Sequence, residues 1–114
     1  QAFADLLRNG SNARVINVSS DAGSLERRTY GGDFSYVASK AALNMMTRCL
    51  TNHLRDDGIT VISIHPGWLQ TDMGGPDAKL TLAEAIPGMM NVMDNLTQAD
   101  SGAFFNWDGT IVPW

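Results

Sequence analysis

Apolar positions along the chain change their spacing several times, and each change marks an element. Residues 1–9, QAFADLLRN, set Phe3, Leu6 and Leu7 at helical spacing with Gly10 suited to a C-cap, which predicts the tail of a helix begun upstream. Arg14–Ser19, RVINVS, predicts a short buried strand carrying Val15, Ile16 and Val18. Ser20–Asp33 is rich in serine, glycine and charge and reads as a loop. A long helix is expected from an N-cap at Ser35 to a C′ residue at Gly58, with Leu43, Met46, Leu50 and Leu54 on the helical period. Ile59–Ile64, ITVISI, is a β-branched run that is apolar on both faces except at Thr60 and Ser63, so it belongs in the centre of a parallel sheet. His65–Lys79 is a loop punctuated by Pro66, Gly67, Gly74, Gly75 and Pro76. Thr81-Leu-Ala-Glu84 has capping-box spacing and opens another helix, which Pro87 should kink or restart. Ala103–Trp107 and Thr110–Val112 are expected as short strands around an Asp108-Gly109 turn.

The resulting order is helix tail, strand, helix, strand, helix, strand. Such alternation predicts an α/β fold with a parallel sheet and right-handed crossovers. About three strands and three helices correspond to one half of a doubly wound sheet.

Composition narrows the function classes. The 114 residues are 44% hydrophobic and 18% charged, which suits one small domain and excludes wholesale disorder. A net charge of −4 and a pI near 4.8 leave no basic field to attract phosphates, which argues against a nucleic-acid partner. No apolar stretch approaches the roughly 18–20 residues that span a bilayer, so no membrane partner is expected. Cys49 is the single cysteine, which excludes an internal disulfide and a cysteine-based zinc site and fits a reducing, cytoplasmic setting.

Candidate chemistry centres on Tyr36 and Lys40. At positions i and i+4 near a helix start, the two side chains lie on one face. A free phenol is a poor proton donor or acceptor near neutrality, and a nearby ammonium favours its phenolate, the form that general acid–base work requires. Ser20 follows the first predicted strand, at the sheet end where open α/β folds place ligands, and its hydroxyl can hydrogen-bond a substrate oxygen on which charge develops. Gly-x-Ser-x-Gly is absent, which disfavours a serine hydrolase. His65-Pro66-Gly67 leaves the second strand at the same sheet end, with Thr71 shortly after. Taken singly these are an ordinary surface pair, a capped turn and a Pro-Gly turn; in this order they converge on one edge.

Asn17-Val18-Ser19-Ser20, Tyr36-Val-Ala-Ser-Lys40-Ala-Ala and Pro66-Gly67-Trp-Leu-Gln-Thr71-Asp together resemble the second half of the short-chain dehydrogenase/reductase family. Similarity runs from about residue 1 to the end. The Pro-Gly-Trp-x-x-Thr-Asp-Met-Gly-Gly run and the closing Asp-Gly…Pro-Trp are similar to the carbonyl-reductase-like branch that includes the C-factor and sniffer proteins. The resemblance implies a Rossmann-like sheet and NAD(P)-dependent interconversion of a small carbonyl and an alcohol. It implies Tyr36 as the proton carrier, Ser20 as the holder of the substrate oxygen, and Lys40 as the charge beside the phenol and a ligand of the nicotinamide ribose. By the same likeness, the backbone near Pro66, Gly67 and Leu69, with the Thr71 hydroxyl, would orient the cofactor's carboxamide, and Trp68 and Met73 would belong to a mobile lid over the substrate.

Two features depart from the family pattern. The Ser20-to-Tyr36 interval of 16 residues is longer than in many members; Tyr30 lies within it, but Phe34 stands where a lysine would be needed, so Tyr30 is rejected as the proton donor. No Gly-x-x-x-Gly-x-Gly follows a strand, so the turn that grips the dinucleotide phosphates is expected upstream of residue 1. Residues 1–114 are therefore expected to be the C-terminal half of a single NAD(P)-binding domain, inactive alone. The choice between NAD and NADP stays open.

Of the remaining candidates, Met93 and Met90 suit core packing, while Met89 sits in the same lid region. Asp72 is a candidate cap for a short lid helix. Asp56 and Asp57 would oppose a helix C-terminus, tempered by Arg55. His53 and His65 lie far apart without a nearby carboxylate pattern, so no metal is expected, and Cys49 is expected as a small buried group. The helix starting near Ser35 is a candidate homodimer face, with a monomer equally open. Alternatives are a catalytically idle nucleotide sensor or interaction module, against which the intact Ser20, Tyr36 and Lys40 argue, and a sugar-nucleotide epimerase, for which the tail after Thr71 is short.

Overall fold

The computed structural model describes residues 3–114, so the start of the expected N-terminal helix, residues 1–2, lies outside the described residues. Helix α1, Ala4–Arg8, is followed by strand β1, Arg14–Val18. A 3-10 turn at Asp21–Gly23 and a loop lead to α2, Phe34–His53. Strand β2, Thr60–His65, helix α3, Leu82–Asn95, a second 3-10 turn at Gln98–Asp100 and strand β3, Phe104–Asn106, complete the order. The three strands form one parallel sheet in the order β1-β2-β3, half of a doubly wound Rossmann-like sheet.

β2 is the central strand, as its two apolar faces require, and all its residues but His65 are buried. Ile62 and Ile64 face α3 and pack with Val92 and Leu96, joined by Ile16, Met89 and Phe105. Val61 faces the other way, with Leu54 and Ile59, against Leu7, Val15 and Leu50. Among the described residues β1 pairs only with β2; it is half-buried, less than the buried strand expected, and its Val18 is exposed.

α2 keeps Leu54 buried and Leu43 and Leu50 half-buried, as the expected stripe requires, and departs from it at Met46. Its buried residues are Asn44, Thr47 and Thr51, continued by Leu54, while Met46 is 58% exposed and Cys49 is exposed as well. The seam against the sheet is polar. The Thr47 hydroxyl donates to the Leu43 carbonyl at 3.0 Å, accepts from Asn17 Nδ2 at 2.8 Å and meets Ser63 Oγ at 2.9 Å, which satisfies it fully. Thr51 donates to the Thr47 carbonyl. Cys49, two residues from Thr47, points about 200° away around the helix and cannot share that seam.

Both predicted ends of α2 shift. The N-cap is Asp33, left-handed at φ 49°, and Ser35 lies inside the first turn. The helix stops at His53; the chain then tightens through Asp57 N–H to Leu54 O and Gly58 N–H to Arg55 O, with Gly58 at φ +68° closing the turn. Asp57 therefore does not oppose the helix dipole as expected; its partner is Arg8 Nε at 2.9 Å, while Arg55 donates to Asn52.

α3 begins as expected, with Thr81 and Glu84 forming a reciprocal capping box. It runs through Pro87 as one helix, without the expected restart. Pro87 and Ala83 both face solvent, so water can satisfy the Ala83 carbonyl that proline leaves without a donor. Met93 is partly buried, but Met90 is 48% exposed and does not join the core. Beyond the Asp108-Gly109 turn the second expected strand reduces to one antiparallel bridge, Ile111 to Phe105. The end of α3 is capped from β1: the Arg14 guanidinium donates to the carbonyls of Met93, Asp94 and Leu96. Replacing Arg14 with Met should orphan these groups and lower stability by about 1–3 kcal/mol, read as the shift of a urea unfolding midpoint.

Candidate active site

Ser19 and Ser20 emerge from the C-terminal end of β1 with little solvent exposure. Ser20 caps the 3-10 turn, its Oγ accepting from Ala22 N–H at 3.2 Å. The turn then presses onto α2. A Cβ on Gly23 would sit 2.6 Å from the Lys40 carbonyl carbon and 2.8 Å from Ala41 N, so only glycine lets the two backbones meet. Two bonds fix the contact: buried Asn44 donates to the Gly23 carbonyl at 3.2 Å, and Ser19 Oγ donates to the Lys40 carbonyl at 3.4 Å. The sequence offered no sign that Gly23 and Asn44 would act together, because they meet only across the fold.

Tyr36 and Lys40 occupy the first turns of α2. Lys40 Nζ stands 5.7 Å from the Tyr36 ring centroid, within cation–π range, and donates to the Val18 carbonyl at 3.3 Å. The ammonium thus bridges the phenol's helix and the strand that leads to Ser20. Tyr36 is 40% exposed, while Tyr30 lies apart from this arrangement with Arg28 stacked on its ring at 4.0 Å.

The loop after β2 carries the other expected residues. Pro66 and Gly67 leave β2 at the same sheet end, and Leu69 bridges to Leu80. Trp68 Nε1 donates to the Gly74 carbonyl at 2.9 Å; a Cβ at Gly74 would lie 1.8 Å from the Leu69 carbonyl oxygen, which pins the loop closed. Thr71 Oγ1 accepts from Gly74 N–H, the local cap that had been expected of Asp72, and Met73 is 87% exposed. A cleft of about 330 Å³ lies elsewhere, near the start of β2, lined by Thr51, Arg55, Gln98, Ala99 and Ser101.

His65 meets one acidic side chain. Its Nε2 lies 3.4 Å from Asp21 Oδ1, a carboxylate partner that sequence spacing concealed because the two residues sit on adjacent strand ends. Burial holds the imidazole below its ordinary value; Asp21 opposes that and Arg27 adds to it.

The nicotinamide side of a dinucleotide fits these residues. An ammonium has three donors, and Lys40 uses one on Val18, leaving two for ribose hydroxyls. The described residues include no glycine-rich turn between a strand and a helix N-terminus of the kind that holds a pyrophosphate.

Two expected outcomes follow from this geometry. Gly23→Ala should cost about 1–3 kcal/mol in urea unfolding by forcing the turn off α2, whereas Gly31→Ala, with nothing near its Cβ, should change stability by less than about 0.5 kcal/mol. Because folded His65 binds its proton less readily than unfolded chain, its contribution is complete above about pH 6.5 and is lost as pH falls below that value. The unfolding midpoint should therefore drop between about pH 7 and 5, and His65→Gln should flatten the decline. Glu84, Asp100 and Asp108, held low by hydrogen bonds from Thr81, Thr97 and Thr110, lose their contribution only in more acid solution.

Comparison with known proteins agrees with this architecture. The family model for short chain dehydrogenase matches residues 1–80. The chain is 49% identical to the C-signal of Myxococcus xanthus over 95% of its own length and 65% of that protein's. It is 39% identical to 1-hydroxy-2-glutathionyl-2-methyl-3-butene dehydrogenase of Rhodococcus sp. strain AD45, over 100% of this chain and 51% of that one. Among solved structures, carbonyl reductase Sniffer of D. melanogaster superposes with a TM-score of 0.88 at 35% identity, covering 97% of this chain and 46% of that one. NADPH-bound carbonyl reductase from chicken fatty liver gives 0.84 at 46% identity, covering 90% and 43%. The chain thus spans between about half and two thirds of these curated relatives and less than half of these solved structures. On the match to its family model, and with its fold in agreement, the chain belongs to the short-chain dehydrogenase/reductase family and resembles carbonyl reductase Sniffer and the chicken fatty liver carbonyl reductase within it.

Proposed function

We propose that the protein is an NAD(P)(H)-dependent oxidoreductase that interconverts a small carbonyl and an alcohol, and that residues 1–114 are the proton-handling, C-terminal half of its single nucleotide-binding domain. The observation that carries the reading is the docking of the Ser20 turn onto α2 at Lys40, one helical turn from Tyr36. Independent elements are thereby held around one strand end. The bound nicotinamide supplies or accepts the hydride.

Everything else falls to side chains of this chain. Ser20 Oγ donates to the substrate oxygen and steadies the negative charge that develops there. The Tyr36 hydroxyl delivers a proton to that oxygen in reduction and takes it back in oxidation. Lys40 stabilises the phenolate left behind and offers its free N–H groups to the ribose. The backbone around Pro66, Gly67 and Leu69, with the Thr71 hydroxyl, orients the carboxamide. Trp68 and the exposed Met73 give the substrate an adaptable apolar cover. NADPH in the chicken-liver reductase and NADP in the Burkholderia multivorans relative support a nicotinamide dinucleotide and leave the choice between NAD and NADP open here. The apolar groups exposed on α2, Met45 and Met46, support a second copy of the protein as a partner through that helix.

Assayed with NADPH or NADH and a panel of small aldehydes and ketones, the full gene product should turn over, and Tyr36→Phe should lower kcat by at least about 100-fold. The isolated 114-residue chain should show no turnover. Unchanged kcat in Tyr36→Phe would sink the assignment.

A further inference from the structure

Asp21 opens the 3-10 turn after Ser20, and its Oδ1 has two neighbours: Ser20 Oγ at 3.5 Å and His65 Nε2 at 3.4 Å. The carboxylate therefore links two strand ends, since Ser20 follows β1 and His65 is the last residue of β2, directly before Pro66. The imidazole is largely buried, and its Nδ1 has no partner among the described residues. Nε2 is the nitrogen that faces the carboxylate, in a charge contact that falls outside hydrogen-bond geometry. A hydrogen on Nε2 is what that contact favours.

This order of groups is not that of a nucleophilic triad. The carboxylate stands between hydroxyl and imidazole, so His65 cannot take a proton from Ser20 directly. Its consequence lies in the hydroxyl's geometry. Ser20 Oγ already accepts from Ala22 N–H, and its one hydrogen is shared between Asp21 and any incoming oxygen. Where Asp21 sits decides where that hydrogen points.

We propose that Asp21 and His65 are positioning residues for Ser20: the Asp21 carboxylate orients the Ser20 hydroxyl, and His65 fixes Asp21 from the end of β2, tying the serine turn to the loop that begins at Pro66. Its catalytic consequence rests on the oxidoreductase reading above. The charged groups acting on His65 are Asp21 and, from the following loop, Arg27. On the α2 side Lys40 is engaged by the Val18 carbonyl, and from β3 the residue in register with His65 is the uncharged Asn106.

The test uses the full gene product with Asp21→Asn, His65→Gln, His65→Phe and Tyr36→Phe. Glutamine keeps an N–H near the Nε2 position, while phenylalanine keeps only the ring shape. Asp21→Asn and His65→Phe should lower kcat by about 10–100-fold with the KM for the dinucleotide unchanged, and His65→Gln should recover to within about threefold of wild type. The amide resonance of Ala22 should move with the His65 titration in the wild type and stop doing so in Asp21→Asn. Wild-type kcat in Asp21→Asn, His65→Gln as slow as His65→Phe, or an Ala22 resonance indifferent to His65 would each overturn the proposal. If His65→Phe does not fold, the Asp21→Asn kinetics and the Ala22 titration still decide. Full turnover in Tyr36→Phe strikes the oxidoreductase reading alone, because the Ala22 coupling is read without turnover.

Discussion

The contact on which this molecule depends is the meeting of two backbones at Gly23. Two catalytic candidates, Tyr36 and Lys40, ride on α2, whereas Ser20 hangs from the end of β1. Nothing in the covalent chain sets the distance between them, since a loop of more than ten residues intervenes. The space a methyl group would fill at Gly23 is taken by the carbonyl of Lys40, and Asn44 and Ser19 lock the approach with hydrogen bonds to that same seam. Close backbone packing of this kind transmits position without compliance, because interiors are dense and neighbours have nowhere to move. Lys40 closes the loop by reaching back to Val18.

Beneath that contact, the sheet behaves as a two-sided core with unlike faces. The α3 face is hydrocarbon, with Ile62, Ile64, Val92 and Leu96 packed together. The α2 face is a chain of hydroxyls and amides around Thr47, each bond contributing roughly 0.5–1.5 kcal/mol net. A polar seam has stricter geometry than an oily one, because a donor displaced by an ångström becomes an unsatisfied group. The helix that presents Tyr36 and Lys40 is therefore registered against the strands by directional bonds as well as by apolar packing at Leu50 and Leu54. Arg14 does a similar service for α3 from the far side of β1.

The same directional logic extends to the sheet end. Asp21 and His65 join the ends of β1 and β2, and the loop from Pro66 is pinned internally by Trp68 and Gly74. Around these fixed points the chemistry-bearing surface stays accessible, with Tyr36 and Met73 open to solvent. Rigid supports under exposed reactive groups are what an acid–base site requires, since orientation is worth more than proximity alone.

The sequence by itself determined the element order, the central place of β2, the capping box of α3 and the residue motifs of the family, because each depends on local periodicity or on short spacing. It placed Leu50 and Leu54 correctly on the packed side of α2 but misjudged Met46 and missed Asn44, Thr47 and Thr51, because apolar periodicity cannot mark a stripe that polar residues complete. The ends of that helix, the exposure of Cys49, the continuity of α3 through Pro87 and the partners of Asp57 and His65 were decided only by tertiary structure. For Asp57 and His65 the deciding contact comes from another segment of the chain. Spacing along a chain carries no record of what a side chain meets across the fold.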